Sequence, residues 1–236
     1  NALRISAQLV DVRTDEPAWG ETFSGTMDDV FDVQERVARA IVGALDVALS
    51  PVESARLQER PIRNARAFEL YLKAREALAG YDVARAAPLI DRAVELEGEV
   101  PALRALRAMS SIMLLRTGAS RDPALMDRIE GEARALIAQV PDQAWGHAIL
   151  GYLAYEQGDN ATAVRALRRA MELDPADGDV RFFLGISVQA AGHSDPRIGF
   201  EWVARDPLSP LAQCLVGATS WFHGRAAEGL AAMEEG

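Results

Sequence analysis

Lysine, cysteine and histidine are scarce in this chain. Of 236 residues, one is a cysteine (Cys214) and three are histidines (His147, His193 and His223). A single cysteine excludes an internal disulfide and leaves no cysteine-built metal site. The histidines share no ligand spacing, and no His-Glu-x-x-His run occurs, so neither a metal nor a catalytic role is expected of them. Basic residues are outnumbered 25 to 35 by acidic ones, for a net charge of -10. That balance argues against a nucleic-acid footprint, which would be basic. No apolar run approaches the ~18 residues of a membrane helix. The chain has no phosphate-binding glycine loop and no Gly-x-Ser-x-Gly. No cofactor is expected, and no enzyme.

What is present is ordinary for a globular chain: 49% hydrophobic and 25% charged residues. The basic residues are almost all arginine, Lys73 being the only lysine. The chain opens on Asn1 and not on Met, without a signal peptide, and reads as an excised part of a longer protein.

The opening has the period of a β-hairpin. Leu3, Ile5, Ala7 and Leu9 alternate with Arg4, Ser6 and Gln8. The stretch from Arg13 to Pro17 supplies a turn, and Trp19, Glu21 and Phe23 share a face of a second strand. A helix is expected next, with Thr26 as N-cap and Asp28 and Asp29 in its first turn. Its apolar stripe is Val30, Phe31, Val37, Ile41, Leu45 and Leu49. Ser50-Pro51-Val52-Glu53 is a capping box that starts a short helix through Leu57, and a linker follows. From Asn64 onward the pattern is helices joined by turns. Their starts are Asn64, Asp82, Asp122-Pro123, Asp142, Asn160, Asp195-Pro196 and Ser209-Pro210.

A fixed spacing runs through this helical part. Leu150-Gly151 recurs as Leu184-Gly185, Gly158 as Gly192 and Pro141 as Pro175, each at an offset of 34. The next step shortens to 32, from Gly185 to Gly217, Gly192 to Gly224 and Pro175 to Pro207. The clearest unit, 144–177, carries Leu150-Gly151, Gly158, Ala163, Leu167, Ala170 and Leu173-Asp174-Pro175. Gly151 and Ala163 are small enough to let two helices approach. Gly158 suits a left-handed C-terminal cap, and Pro175 stops the helix. Fainter copies flank it. Residues 66–99 carry Leu72, Ala86, Ile90, Ala93 and Leu96, with Gly98 in place of the closing proline. Residues 101–141 hold an insertion of roughly seven residues, placed at Thr117–Pro123. Residues 178–208 have a shortened second helix, and 210–236 stop inside one.

This pattern resembles the tetratricopeptide repeat over about three-quarters of the chain. The resemblance implies a mostly α fold, a right-handed α-solenoid of about five repeats over 64–236, preceded by the small hairpin and helix. It also implies that the first helix of each unit lines a concave groove that takes a protein or peptide. The groove-facing positions then hold Trp145, Ala148, Tyr152, Tyr155 and Glu156 in one repeat. The next offers Asp179, Phe182, Ile186, Gln189 and Ala190, and the last Leu211, Cys214, Ala218, Trp221 and Phe222. The binding candidates among them are Trp145, Tyr152, Tyr155, Glu156, Phe182, Gln189, Trp221 and Phe222. The same aromatics would also serve to fill the seam between neighbouring first helices. Cys214 reads as core, the Asp174/Asp177/Asp179 cluster as helix capping, and Arg165, Arg168, Arg169 and Glu172 as an ion-paired outer face.

Residues 1–50 resemble the end of a TolB-like domain, on Gln8-Leu9, the Trp19 strand and the Phe31–Ile41 helix. That domain precedes tetratricopeptide repeats in bacterial class III adenylate cyclases and winged-helix transcriptional regulators. The implied function is the interaction module of a larger regulatory or signalling protein. The competing reading is a small-molecule sensory domain that controls an attached output domain. A cyclase type would be cytoplasmic, and a membrane-anchored regulator would place this part in the periplasm. A two-stranded sheet is marginal in water, so the hairpin is expected either to pair its edge with a second copy or to be disordered.

Overall fold

A computed structural model describes residues 2–11, 13–26, 29–46, 54, 59–193, 197–222, 224 and 227, without the side chains of Arg197, Ile198 and Phe222. It is mostly α, and from residue 64 onward no described residue lies in a strand. By internal contacts the chain divides into two units, Asn1–Leu103 and Arg104–Gly236.

The first unit opens with strands β1 (Ala2–Asp11) and β2 (Glu16–Thr26), paired antiparallel. Ile5 faces Phe23 and Leu9 faces Trp19 across the ladder, with an irregularity between Leu9 and Val10. Leu3, Ile5, Ala7 and Leu9 are half-buried, their neighbours exposed, and Phe23 is buried, as the alternation requires. The turn is tighter than Arg13–Pro17. Asp15 takes φ 56, its amide donates to the Asp11 carbonyl at 2.8 Å, and β2 already begins at Glu16.

Helix α1 (Val30–Ala44) follows, with its N-cap at Asp29 and not at Thr26. The expected roles are reversed. The Asp29 carboxylate accepts from the Thr26 amide at 3.1 Å and from its hydroxyl at 2.8 Å. Val33, absent from the expected stripe, is the most buried residue of α1 at 0% exposure, because Gly25 on β2 leaves room for it. Leu45 is exposed. Leu49 and the capping box with its short helix through Leu57 lie outside the described residues.

Helices α2 (Ala65–Ala79) and α3 (Val83–Glu97) form the first antiparallel pair. Asn64 caps α2, its side-chain oxygen accepting from the Arg66 and Ala67 amides at 3.0 Å. Asp82 caps α3 through the Arg85 amide at 3.0 Å. Glu97 closes the pair by accepting from the amides of Arg63 and Asn64 at 2.9 and 2.7 Å. Ala86, Ile90 and Ala93 are buried as expected, whereas Leu72 is exposed. The α2 core is Ala67, Leu70, Ala74, Ala77 and Leu78 instead. Phe31 of α1 meets Phe68 of α2, ring centroids 5.0 Å apart. Tyr81 takes φ 59 at the turn where later pairs have Gly158 and Gly192 at φ 78 and 81. The chain reversal is the same in all three, a residue in the left-handed region ending the first helix.

From residue 101 onward the helices are α4 (Pro101–Arg116), α5 (Pro123–Gln139), α6 (Trp145–Glu156), α7 (Asn160–Leu173), α8 (Gly178–Ala190), α9 (Arg197–Arg205) and α10 (Pro210–Phe222), the unit boundary falling within α4. Asp122 caps α5 and Asp177 caps α8. Asp142 caps nothing, because α6 begins three residues later behind a turn and has no side-chain cap. The cap of α7 is Asp159, one residue before Asn160. Ser209 accepts from the Ala212 amide at 3.3 Å, and Asp195-Pro196 lies outside the described residues.

One core runs through the pairs. Ile112, Ala133, Leu136, Ala163, Leu167, Ala170 and Val180 all have 0% exposure. Gly151 is buried against Leu167, while Leu150 is only half-buried. The last pair departs from this arrangement. Helix α9 is short, and Gly185, the counterpart of Gly151, packs on Leu215 of α10. Among the described residues no helix is long and apolar enough to cross a membrane.

Candidate functional site

The first helices α6, α8 and α10 pack on one another in chain order. Their shared face continues at Arg116, the last residue of α4. The Arg116 Nε donates to Glu156 Oε1 at 2.9 Å, and both side chains are largely buried. The Arg116 guanidinium also lies over the Phe183 ring, 4.2 Å from its centroid. Its Nη2 is buried with no hydrogen-bond partner.

Phe183 is the hub of an aromatic cluster. Tyr152, Tyr155 and Phe182 meet it edge-on at centroid distances of 5.0, 5.4 and 5.5 Å. The cluster has two layers. Phe183 and Tyr152 are inside, at 8% and 2% exposure. Tyr155 and Phe182 are half-buried, as are Trp145, Glu156 and Gln189. Trp221 is 62% exposed. The placing of Tyr152 among the groove candidates is therefore corrected. Nearly every residue of α6 is apolar, so the ring on its inward side goes into the seam. Gln189 donates to the Ala218 carbonyl at 3.4 Å, tying α8 to α10. The side chain of Phe222 lies outside the described residues.

Cys214 is exposed, which corrects its assignment to the core; Ala212, Leu215 and Val216 fill that side of α10. On α7, Arg169 pairs with Glu172 at 2.8 Å and Arg165 donates to the Thr162 hydroxyl at 2.8 Å, so the outer-face pair is formed by Arg169. Burial holds the His147 imidazole below its ordinary range, with Arg169 adding to the effect. His193 is exposed and His223 lies outside the described residues. Among the described residues no group of three or more His, Cys, Asp or Glu side chains is placed to hold a metal.

Arg116 and Phe183 escaped the sequence reading. Arg116 ends its first helix as Glu156 ends the next, and the insertion between them hides the correspondence. Phe183 is masked by its neighbour Phe182.

Asp177, at the N-cap of α8, is a perturbed carboxyl. Burial raises its pKa, Asp179 and Asp174 add to the rise, and the Val180 amide it caps opposes it. A carboxyl whose folded pKa lies above its unfolded value loses stability as pH rises through that window. Asn keeps the cap without the charge. Asp177→Asn is therefore expected to raise stability at pH 7, and by less at pH 4, when urea unfolding is compared at the two values.

No protein-family model matches the chain. It is similar to the crystal structure of TTC0263, described as a thermophilic TPR protein in Thermus thermophilus. The likeness covers 70% of this chain and 87% of that one, at 16% identity and a TM-score of 0.58. The helical pairs have the tetratricopeptide fold. A second likeness, to a crystal structure of MamA, covers 69% of this chain and 91% of that one, at 15% identity and a TM-score of 0.45. Among curated proteins the chain is 31% identical over 118 residues to "Putative adenylate cyclase 3" of Rhizobium meliloti (strain 1021). The matched part is 49% of this chain and 20% of that protein.

Proposed function

We propose that the face formed by α6, α8 and α10 of the tetratricopeptide unit docks a protein or peptide. In this reading the chain is the interaction module of a larger bacterial regulatory or signalling protein. The observation that carries it is the outer aromatic layer. Trp145, Tyr155 and Phe182 are half-buried and Trp221 is 62% exposed, although Tyr152 and Phe183 already fill the seam beneath. Large rings left at the surface along one row of helices supply area and a polar tip, which is what interfaces enrich. Glu156 and Gln189 stand beside them as polar contacts. The likeness to a much longer protein named for adenylate cyclase supports the signalling context. We assign residues 1–50 to the end of a TolB-like domain, 51–63 to a helix and linker, and 64–236 to about five repeats.

The test is capture of a partner from bacterial lysate on the immobilised chain, compared with Tyr155→Ala/Trp221→Ala. The double variant is expected to lose about tenfold in capture, which is ~1.4 kcal/mol, while its melting curve stays close to the parent's. Equal capture by parent and variant would remove this face as the docking surface.

A further inference from the structure

We propose that the row Phe68, Tyr71 and Arg75 on α2 docks a segment whose aromatic residue is flanked by carboxylates, and that Phe31 and Asp32 of α1 are its resident occupant, which an outside segment displaces. On the reading that first-helix faces dock protein, this is the equivalent row of the first helical pair.

The first pair repeats the geometry of the α6–α7 pair. Tyr81 and Gly158 both take the left-handed turn, at φ 59 and 78. The next amide in each reaches back into the first helix, Asp82 to the Ala77 carbonyl and Asp159 to the Ala154 carbonyl, both at 2.9 Å. Asp82 and Asp159 each then cap the second helix at 3.0 Å. In that register Phe68 stands where Trp145 does, Tyr71 where Ala148 does and Arg75 where Tyr152 does. On α6 the last two are buried. On α2 Tyr71 is half-buried and Arg75 is exposed.

The row already holds one ring and one carboxylate. Phe31 meets Phe68 at a centroid distance of 5.0 Å, and Phe68 stacks toward Tyr71 at 6.2 Å. The Arg60 guanidinium lies over the Phe31 ring, 5.4 Å from its centroid, and donates to Asp32 at 2.6 Å. Ring and acid are thus held together by one arginine. The hold on α2 is slight. Helix α1 otherwise leans on the hairpin, with Val33 against Gly25 and Arg36 donating to the Ser24 carbonyl at 3.0 Å. Phe31 and Phe68 are only half-buried. Arg60 and Asp32 are exposed, where an ion pair contributes little.

The resident also leaves a cation unused. Arg75 stacks on Tyr71, 5.7 Å from the ring centroid, and among the described residues no carboxylate pairs with it. The other cations of α2, Arg66 and Lys73, both pair with Glu69. Glu76, next to Arg75, is directed to Arg85, and Glu35 of α1 is held by Arg39 at 2.9 Å. Acids outnumber bases 35 to 25 in this chain, so an arginine laid on a ring without an acid marks where an outside carboxylate fits. A segment with acids on both sides of its ring engages Arg60 and Arg75 together, which α1 does not.

The probe is the fluorescein-labelled peptide Gly-Asp-Glu-Phe-Glu-Asp-Gly, followed by anisotropy with the whole chain. Phe31→Ala vacates the row and is expected to bind it about tenfold more tightly than the parent, whose row is open only part of the time. Asp32→Asn removes no packed group. It frees Arg60 and is expected to tighten binding about threefold, so the effect can be read even if Phe31→Ala folds poorly. Adding Arg75→Ala to either variant should cancel the gain, and a probe with alanine in place of phenylalanine should bind none of them. Tyr155→Ala/Trp221→Ala should bind the probe as the parent does. Equal binding by the parent, Phe31→Ala and Asp32→Asn overturns the resident role of α1. Absence of binding throughout, or binding that ignores Arg75→Ala, overturns the site. Loss of the probe in Tyr155→Ala/Trp221→Ala overturns it as well and assigns the peptide to the face of α6, α8 and α10, so the two docking readings fail separately.

Discussion

Gly146→Leu is expected to cost about 3 kcal/mol or more, the upper end of overpacking effects. Urea unfolding followed by tryptophan fluorescence would measure it. A Cβ at Gly146 would lie 2.7 Å from the Ala133 carbonyl oxygen and 2.9 Å from the Ile137 amide nitrogen. Both belong to the backbone of α5, so relief requires α5 and α6 to separate. Gly151 looks equivalent in the repeat but meets mainly a side chain. Its Cβ would lie 2.5 Å from Leu167 Cγ and 2.7 Å from Leu167 Cδ2, with the nearest backbone atom at 3.3 Å. The Leu167 side chain can turn, although it has 0% exposure and little free space. Gly151→Leu should therefore cost about 1–3 kcal/mol. Alanine sharpens the contrast, since Gly146→Ala should still destabilise clearly and Gly151→Ala less. Gly131 on α5 has nothing within 4 Å of its would-be Cβ. Gly131→Ala should stabilise by about 0.5–1 kcal/mol through backbone entropy. Equal costs at 146 and 151 would mean that the α5–α6 approach is looser than described.

Much of this arrangement was legible because short-range chemistry decides it. The alternation of Leu3 to Leu9 could only suit a strand with one face covered. Asn64, Asp82 and Asp122 could be read as caps because a short acceptor side chain precedes each helix at the distance the free amides need. The spacing of Gly151, Gly158, Ala163 and Pro175 exposed the repeat. What remained hidden depends on neighbours distant in sequence. Tyr81 gives no sign that it will occupy a left-handed turn at φ 59. That conformation is imposed by the pairing of α2 with α3. Gly185 keeps its place in the repeat but changes its partner to Leu215 of α10, the helix that packs on α8. On α6 and α10 apolar residues occupy most of the circumference, so periodicity cannot assign an inner face. That is why Tyr152 was grouped with Tyr155, and why Cys214 was placed in the core.

The separation of Tyr152 from Tyr155 leads to a second large effect. Tyr152 has 2% exposure, and its ring meets Phe183 edge-on at 5.0 Å. Burial, with Asp177 and Asp179 nearby, pushes its phenol well above the ordinary tyrosine range. Tyr152→Ala removes a buried ring from the contact between α6 and α8, and Phe183 and the Arg116 guanidinium lose the packing beneath them. The expected cost is about 3–5 kcal/mol, the range for deleting a buried aromatic side chain. Tyr152→Phe keeps the ring and should cost no more than about 1 kcal/mol, the worth of a hydroxyl's hydrogen bond. Tyr155→Ala touches the same Phe183 ring but from the half-buried layer, so its stability cost should fall well below that of Tyr152→Ala. Denaturant midpoints of the three variants, set beside their capture of a partner, distinguish packing from docking. If Tyr152→Ala unfolds at the parent's midpoint, the inner layer is not structural and the division between the two tyrosines fails. If Tyr155→Ala matches the Tyr152→Ala loss of stability, the outer ring belongs to the seam as well, and the docking face shrinks to Trp145, Phe182 and Trp221.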